Sequence, residues 1–271
     1  MLTDITIGQY FPAPSLLHRL DPRMKLILTV LWIAMVFVPK NWFGLLLAVA
    51  FLVLCIALSG LPGRLIFKSI RPILPLILFT SILNIFYVSG GRLLFSWWIF
   101  KVHTGGLITA AFIGIRIICL IIGSSLLTYT TSPTALTDAL ERLLSPLKVL
   151  HLQVHELAMM MTIALRFIPT LIEETDKIMS AQKARGADFE SGGLMKRVKA
   201  MIPILIPLFV SAFRRAYELA TAMECRCYQG GEGRTRMKQL HLARRDYLSL
   251  AVSLAVLALL IVMNILIDPV L

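Results

Sequence analysis

The chain has 271 residues, of which 58% are hydrophobic and 15% charged, and its mean hydropathy is +0.81. Soluble domains contain roughly 45–50% apolar residues, so this composition excludes water as the main solvent and predicts an integral membrane protein. The 27 Lys and Arg residues exceed the 15 Asp and Glu residues by 12. On so apolar a chain, this basic excess indicates a cytoplasmic membrane face rather than nucleic-acid binding.

Five apolar segments are predicted to form membrane helices, because a helix needs about 20 apolar residues to cross a hydrocarbon core about 30 Å thick. In chain order they are residues 26–38, 42–59, 65–88, 105–129 and 247–267. The first two are short and form a hairpin at the turn Pro39-Lys40-Asn41. We therefore expect a cytoplasmic N-terminal tail (1–25), membrane helices one to four (26–129), a cytoplasmic region (130–245) and a last membrane helix (246–271).

The distribution of basic residues predicts the orientation of these helices. Arg19, Arg23 and Lys25 precede the first segment, and residues 130–245 hold 17 of the 27 basic residues. Basic residues concentrate in cytoplasmic loops, so the N-terminus and the region 130–245 are predicted to face the cytoplasm.

The cytoplasmic region contains two long helices, each with a continuous apolar stripe, which we call the apolar seams. Their apolar residues recur at alternating steps of three and four, the period of one helix face. The first seam includes Leu157, Met161, Ile168, Leu171 and Ile178, and the second includes Val198, Ile202, Leu205, Phe209, Leu219 and Met223. Such stripes require a covering, either each other or an apolar partner. The predicted fold is thus all-α: about five membrane helices plus long amphipathic cytoplasmic helices.

Both long helices end in an arginine between small residues, and we call these triplets the Arg motifs. They are Ala184-Arg185-Gly186 and Cys225-Arg226-Cys227, and the local sequences align at an offset of 41. An arginine near a helix end is commonly a solvated residue that compensates the helix dipole. Two matching sites instead favour a duplicated docking motif. The small neighbours allow a partner protein to approach closely, and the planar guanidinium suits a carboxylate on that partner.

At these residues the chain resembles the T components of energy-coupling factor (ECF) transporters, the EcfT/CbiQ family. The resemblance covers nearly the whole chain and is carried by residues 8–23, with Leu20-Asp21-Pro22-Arg23, and by residues 129–133, 161–170 and 184–186. It implies a coupling subunit of an ATP-driven vitamin or micronutrient uptake transporter in the bacterial inner membrane. The implied partners are two cytoplasmic ATPases and a small membrane substrate-binding S component.

The resemblance also implies that each Arg motif inserts into a groove on one ATPase, carried by a coupling helix. The second motif departs from the usual form, because Cys227 stands where Gly is commoner. No glycine-rich phosphate-binding loop occurs, so ATP hydrolysis is assigned to the partners and no catalytic residue, cofactor or metal site is predicted.

Two other function classes remain as alternatives. A membrane-bound lipid enzyme could hold a diphosphate under the basic face, but it needs paired carboxylates for magnesium, and Glu173, Glu174 and Asp176 have no matching second cluster. A self-contained secondary transporter expects repeated membrane halves, whereas the repeat here is cytoplasmic. Arg116, deep in the fourth segment, is expected to bind a carbonyl or Glu156, or to face a water-filled crevice.

Overall fold

The computed structural model describes residues 10–88, 90, 93–97, 100–146, 153–187, 189, 193–230 and 239–267. The first nine residues of the predicted tail therefore lie outside the described residues. The elements in chain order are α1 (Pro22–Phe37), α2 (Trp42–Ser59), α3 (Gly63–Ile70), a 3₁₀ turn (Arg71–Ile73), α4 (Leu74–Tyr87), β1 (Leu93–Trp97), β2 (Phe100–His103), α5 (Thr104–Thr130), α6 (Pro133–Leu144), α7 (Val154–Ala184), α8 (Leu194–Glu224) and α9 (Arg244–Leu266).

The chain divides into two units. One consists of Gly8–Ala139 and Gln239–Leu271, and the other of Met1–Ile7 and Leu140–Lys238. In the first unit, α1, α2, α5 and α9 contribute the buried core, which includes Trp32, Leu52, Cys119, Leu126 and Leu260. The predicted turn between the first two segments is formed by Asn41, whose side chain caps α2 by accepting the Gly44 N–H at 2.7 Å.

The all-α integral membrane class is confirmed, although the set of long apolar helices differs from the expected five. Six helices in the described part of the chain are long and apolar enough to cross a membrane: Trp42–Ser59, Gly63–Tyr87, Thr104–Thr130, Val154–Ala184, Val198–Glu224 and Arg244–Leu266. Four of them correspond to predicted membrane segments. The first predicted segment forms the 16-residue α1, about 24 Å long, and the two additional helices are those predicted to be cytoplasmic.

The third predicted segment is interrupted near its start. Helix α3 passes into the 3₁₀ turn at Arg71, and α4 begins at Leu74. Pro72 and Pro75 explain the interruption, because proline has no N–H to donate to the preceding turn. By contrast, Pro169, Pro203 and Pro207 lie inside α7 and α8, which continue past them although proline inside a helix removes a backbone hydrogen bond.

A short antiparallel hairpin, for which the sequence carries no predicted strand, joins α4 to α5. Strand β1 pairs with β2 from Leu93 opposite His103 to Trp97 opposite Phe100, with an irregularity between Leu93 and Phe95. The hairpin returns the chain to α5, whose Gly106 lies so close to α4 that a Cβ there would be 2.9 Å from the Ile85 carbonyl oxygen.

A buried polar network ties the N-terminal segment to α5 and α9. Asp246, which is 2% exposed, accepts the Asp21 backbone N–H at 2.8 Å, and Arg23 forms an ion pair of 2.9 Å with the Asp21 carboxylate. Lys25 Nζ donates to the Thr130 carbonyl at 2.8 Å. Burial lowers the pKa of the Lys25 ammonium to about 8, against the opposing effect of Asp246 and Asp21. The resemblance segment around Asp21 therefore anchors the start of α1.

Candidate functional site

The two long helices α7 and α8, each 31 residues, pack against each other within the second unit. A crevice between them is lined by apolar side chains that include Phe167, Leu171, Leu219 and Met223. The apolar seams thus meet between the middle of α7 and the C-terminal half of α8, because three of these residues belong to the predicted seams.

The remaining seam residues are less covered. Ile168 and Ile178 are half-buried. The exposed ones are Leu157, Met161, Val198, Ile202, Leu205 and Phe209, the last with 62% of its surface accessible. The seams are therefore only partly covered by each other, and an apolar stripe toward the start of α8 is left open.

An ion pair between the helices was not predicted. Arg215 Nη2 on α8 donates to Glu174 Oε2 on α7 at 2.7 Å. Glu174 is one of the three acidic residues of the first long helix that were considered, and set aside, as magnesium ligands. The two residues are 41 positions apart, the offset that aligns the Arg motifs, so the repeat marks them as equivalent positions, although it gives no sign that they are in contact.

The first Arg motif forms a tight cap at the end of α7. The Gly186 N–H donates to the Lys183 carbonyl and the Ala187 N–H donates to the Gln182 carbonyl, both at 3.0 Å. This pair of bonds is the Schellman arrangement, which satisfies the last carbonyls of a helix and reverses the chain. Arg185 is therefore the last residue before the reversal, and its side chain is exposed.

The second Arg motif forms the same cap at the end of α8. The Cys227 N–H donates to the Glu224 carbonyl at 2.8 Å, and the Tyr228 N–H donates to the Met223 carbonyl at 3.0 Å. Each of these residues is 41 positions after its counterpart on α7. Arg226 is exposed like Arg185. The two arginines therefore occupy equivalent positions in two equivalent helix ends.

The third residue of each motif has a left-handed backbone. The φ angle is +85° at Gly186 and +54° at Cys227, which is the non-glycine residue with positive φ in the part of the chain that the structure describes. Glycine adopts this conformation without steric cost, whereas other residues incur about 1–2 kcal/mol. The cap explains why glycine suits the third position of the motif, and Cys227 bears the steric cost of its Cβ atom there.

The arrangement presents two exposed guanidinium groups. Over the described ranges, neither Arg185 nor Arg226 has an acidic side chain within ion-pair distance. The flanking Ala184, Cys225 and Cys227 are exposed, and both cysteines are free thiols. Such a group can form a bidentate pair with a carboxylate on another molecule.

Arg116 is part of the membrane-region packing in the first unit. It donates to the Pro39 carbonyl at the α1–α2 turn, and its guanidinium carbon lies 4.9 Å from the centre of the Phe112 ring. Phe112 in turn packs edge-on against Trp42 at 5.4 Å. Of the three expected environments, the structure shows the bound carbonyl.

Comparison with known proteins gives a consistent family. The family described as cobalt transport protein, CbiQ, matches residues 13–237. The chain is 52% identical over 264 residues to the energy-coupling factor transporter transmembrane protein EcfT of Ruminiclostridium cellulolyticum, covering 97% of this chain and 98% of the relative. It is 51% identical over 261 residues to the EcfT of Bacillus subtilis (96% and 98%) and 44% identical over 262 residues to that of Lactococcus lactis subsp. cremoris (97% and 98%). The chain therefore belongs to the EcfT/CbiQ family of transmembrane proteins of energy-coupling factor transporters.

Proposed function

We propose that this chain is the coupling subunit that links two cytoplasmic ATPases to a small membrane substrate-binding S component, with one Arg motif docking on each ATPase. The observation that carries the proposal is the matched pair of helix ends, in which the same cap presents Arg185 and Arg226. A single solvated helix end would have no reason to be repeated in backbone geometry as well as in sequence.

The chemistry of each docking contact follows from the cap. The chain reverses directly after the arginine, so the helix ends in small residues that can enter a groove on the ATPase. The exposed guanidinium then pairs with a carboxylate in that groove. A desolvated charge-assisted contact of this kind costs roughly 2–5 kcal/mol to break when one partner is removed. Two such contacts account for two ATPase subunits.

The S component is proposed to bind the open apolar stripe of α8, which includes Val198, Ile202, Leu205 and Phe209. The uncharged run of α8 covers residues 200–213 and is bounded by Lys199 and Arg214. Basic residues at both ends of the run, in a region that holds 17 of the 27 basic residues, favour a membrane-surface position for α8 on the cytoplasmic side.

The proposal makes this chain a non-catalytic subunit in the bacterial cell membrane. ATP hydrolysis belongs to the partner ATPases, and the vitamin or other micronutrient is recognised by the S component. The N-terminus is proposed to lie in the cytoplasm.

The test replaces the two arginines in the assembled transporter. Arg185→Ala and Arg226→Ala should each reduce the amount of ATPase that copurifies with this chain, and the double variant should abolish ATP-driven uptake. Arg→Lys should restore assembly only partly, because an ammonium lacks the planar fork. Arg214→Ala removes an exposed arginine from α8 outside the motif, so it serves as the matched control. Wild-type uptake and undiminished ATPase copurification in the double Ala variant would refute the docking role.

A further inference from the structure

The short helix α3 carries a basic face that the coupling role does not use. Arg64, Lys68 and Arg71 follow one another at steps of four and three, so they project from one side of the helix and the turn after it. All three are exposed, whereas Leu65 and Ile66 on the other side are half-buried. Helix α3 is thus amphipathic, with three positive charges on its open face.

This basic face has no negative counterpart among the residues that the structure describes. Asp21 and Asp138 are consecutive acidic residues in the sequence, so none lies near Arg64, Lys68 and Arg71 along the chain. Among the described residues, none of the three forms an ion pair. Like charges three or four positions apart on a helix destabilise it. The cluster is therefore complementary to an anion from outside the chain.

The position of the cluster relative to the apolar span indicates where that anion lies. The three residues lie in the first part of the span Gly63–Tyr87, and the apolar α4 follows with exposed side chains such as Leu76 and Phe79. Phe67, on α3 itself, is 73% exposed. A helix with basic residues and an aromatic side chain at the end of an apolar stretch is typical of the headgroup layer of a membrane.

A crevice between α3 and α5 lies beside the basic residues of α3. It is lined by Lys68, Ser69, Arg71, Ile121, Ser125 and Tyr129. The Ser69 and Tyr129 hydroxyl groups are hydrogen-bonded at 2.7 Å, which holds α3 against α5. The crevice combines two cations and hydroxyl groups with an aliphatic wall, and these features match a phosphate and the first part of an attached acyl chain.

We propose that α3 and this crevice bind the headgroup of an anionic phospholipid, with Lys68 and Arg71 contacting the phosphate and Arg64 extending the positive surface. The site belongs to the first unit and is independent of the Arg motifs, so it stands or falls separately from the proposed coupling function.

The test measures lipid selectivity of the full chain in its assembled transporter, reconstituted in phosphatidylcholine bilayer discs. Spin-labelled phosphatidylglycerol and spin-labelled phosphatidylcholine serve as tracers, and electron paramagnetic resonance gives the motionally restricted fraction of each. Lys68→Gln should lower the selective association of phosphatidylglycerol about fivefold, the effect of one basic residue at an anionic surface. Lys68→Arg should retain it, which also shows that the position tolerates substitution.

Lys40→Gln is the matched control, because Lys40 is an exposed lysine outside α3 with the same change of charge. It should leave the selectivity unchanged. An equal loss with Lys40→Gln, or a wild-type protein with no preference for phosphatidylglycerol, would overturn the proposal. Displacement of the tracer by inorganic phosphate would also overturn it, since the ligand would then be a free anion rather than a lipid.

Discussion

Replacing Gly123 by alanine tests the packing of the membrane core at its closest contact. A Cβ at Gly123 would lie 1.9 Å from Trp32 Nε1 and 2.3 Å from Trp32 Cδ1. Trp32 is 6% exposed, its Nε1–H donates to the Cys119 carbonyl at 3.3 Å, and its ring packs against Phe51 at 6.1 Å. The indole therefore has to leave its position when the methyl group is added.

Three contributions determine how much Gly123→Ala changes the free energy of unfolding. Gly→Ala inside a helix is favourable by roughly 0.5–1 kcal/mol. Overpacking costs typically 1–3 kcal/mol, and a buried N–H that loses its acceptor costs about 1–3 kcal/mol. Together these contributions span roughly 1–5 kcal/mol, and the Gly123→Ala variant should be destabilised by about 2–4 kcal/mol, the middle of that range. At Gly114, on the same helix, the nearest atoms to an added Cβ are side-chain atoms of Ile77 and Ser81 at 3.8 Å, so only the favourable contribution remains.

The assay compares apparent unfolding temperatures of the two purified variants in the same detergent. A loss of 2–4 kcal/mol should lower the midpoint of Gly123→Ala by roughly 5–15 °C, while Gly114→Ala should equal or slightly exceed the wild type. Adding Trp32→Leu to Gly123→Ala should recover part of the loss, since the clashing ring is removed. Equal midpoints for the two glycine variants would show that α1 and α5 do not pack as described.

Three further outcomes are expected. Gly186→Ala should destabilise the cap of α7 by about 1 kcal/mol, because alanine is strained in the left-handed conformation. Cys227→Gly should relieve the same strain at the end of α8 and leave ATPase copurification unchanged. Hydrogen exchange at the two helix ends measures both changes in stability. The pKa of Lys25 is about 8 in the folded chain, against 10.5 for the free side chain. Between these two pH values Lys25 is protonated in the unfolded chain and neutral in the folded chain, so the free energy of unfolding should rise as the pH increases from about 8 to 10.5. Lys25→Gln should remove this part of the pH dependence of the unfolding temperature. Leu205→Asp should release the S component before the ATPases in copurification; retention of both would exclude the open stripe as a partner surface.

Local signals in the sequence were sufficient to locate α2 and α5. The predicted segment 42–59 coincides with α2, because Asn41 caps its start and Gly60, with φ of +64°, ends it. The predicted segment 105–129 differs from α5 by one residue at each end. Composition and hydrophobic period act within a single helix, so they can be seen without knowledge of any neighbour.

The Arg motifs were also found from sequence, through the offset of 41 between two similar stretches. The offset does not reveal the backbone conformation at the ends of α7 and α8. That Gly186 and Cys227 both have positive φ, with matching hydrogen bonds to the preceding turn, is visible only in the folded chain. The repeat in sequence therefore predicts a shared role, and the structure shows a shared geometry.

The sequence by itself determined the membrane class, the approximate helix positions, the basic asymmetry and the duplicated Arg motifs, because each depends on nearby residues or on total composition. The tertiary structure alone decided which residues meet. Asp246 accepts a hydrogen bond from Asp21, 225 positions away, Arg116 binds the Pro39 carbonyl 77 positions away, and Trp32 fills the space left by Gly123. These pairings depend on how whole helices pack, and no local pattern records them, since burial and close approach arise only when distant segments come together.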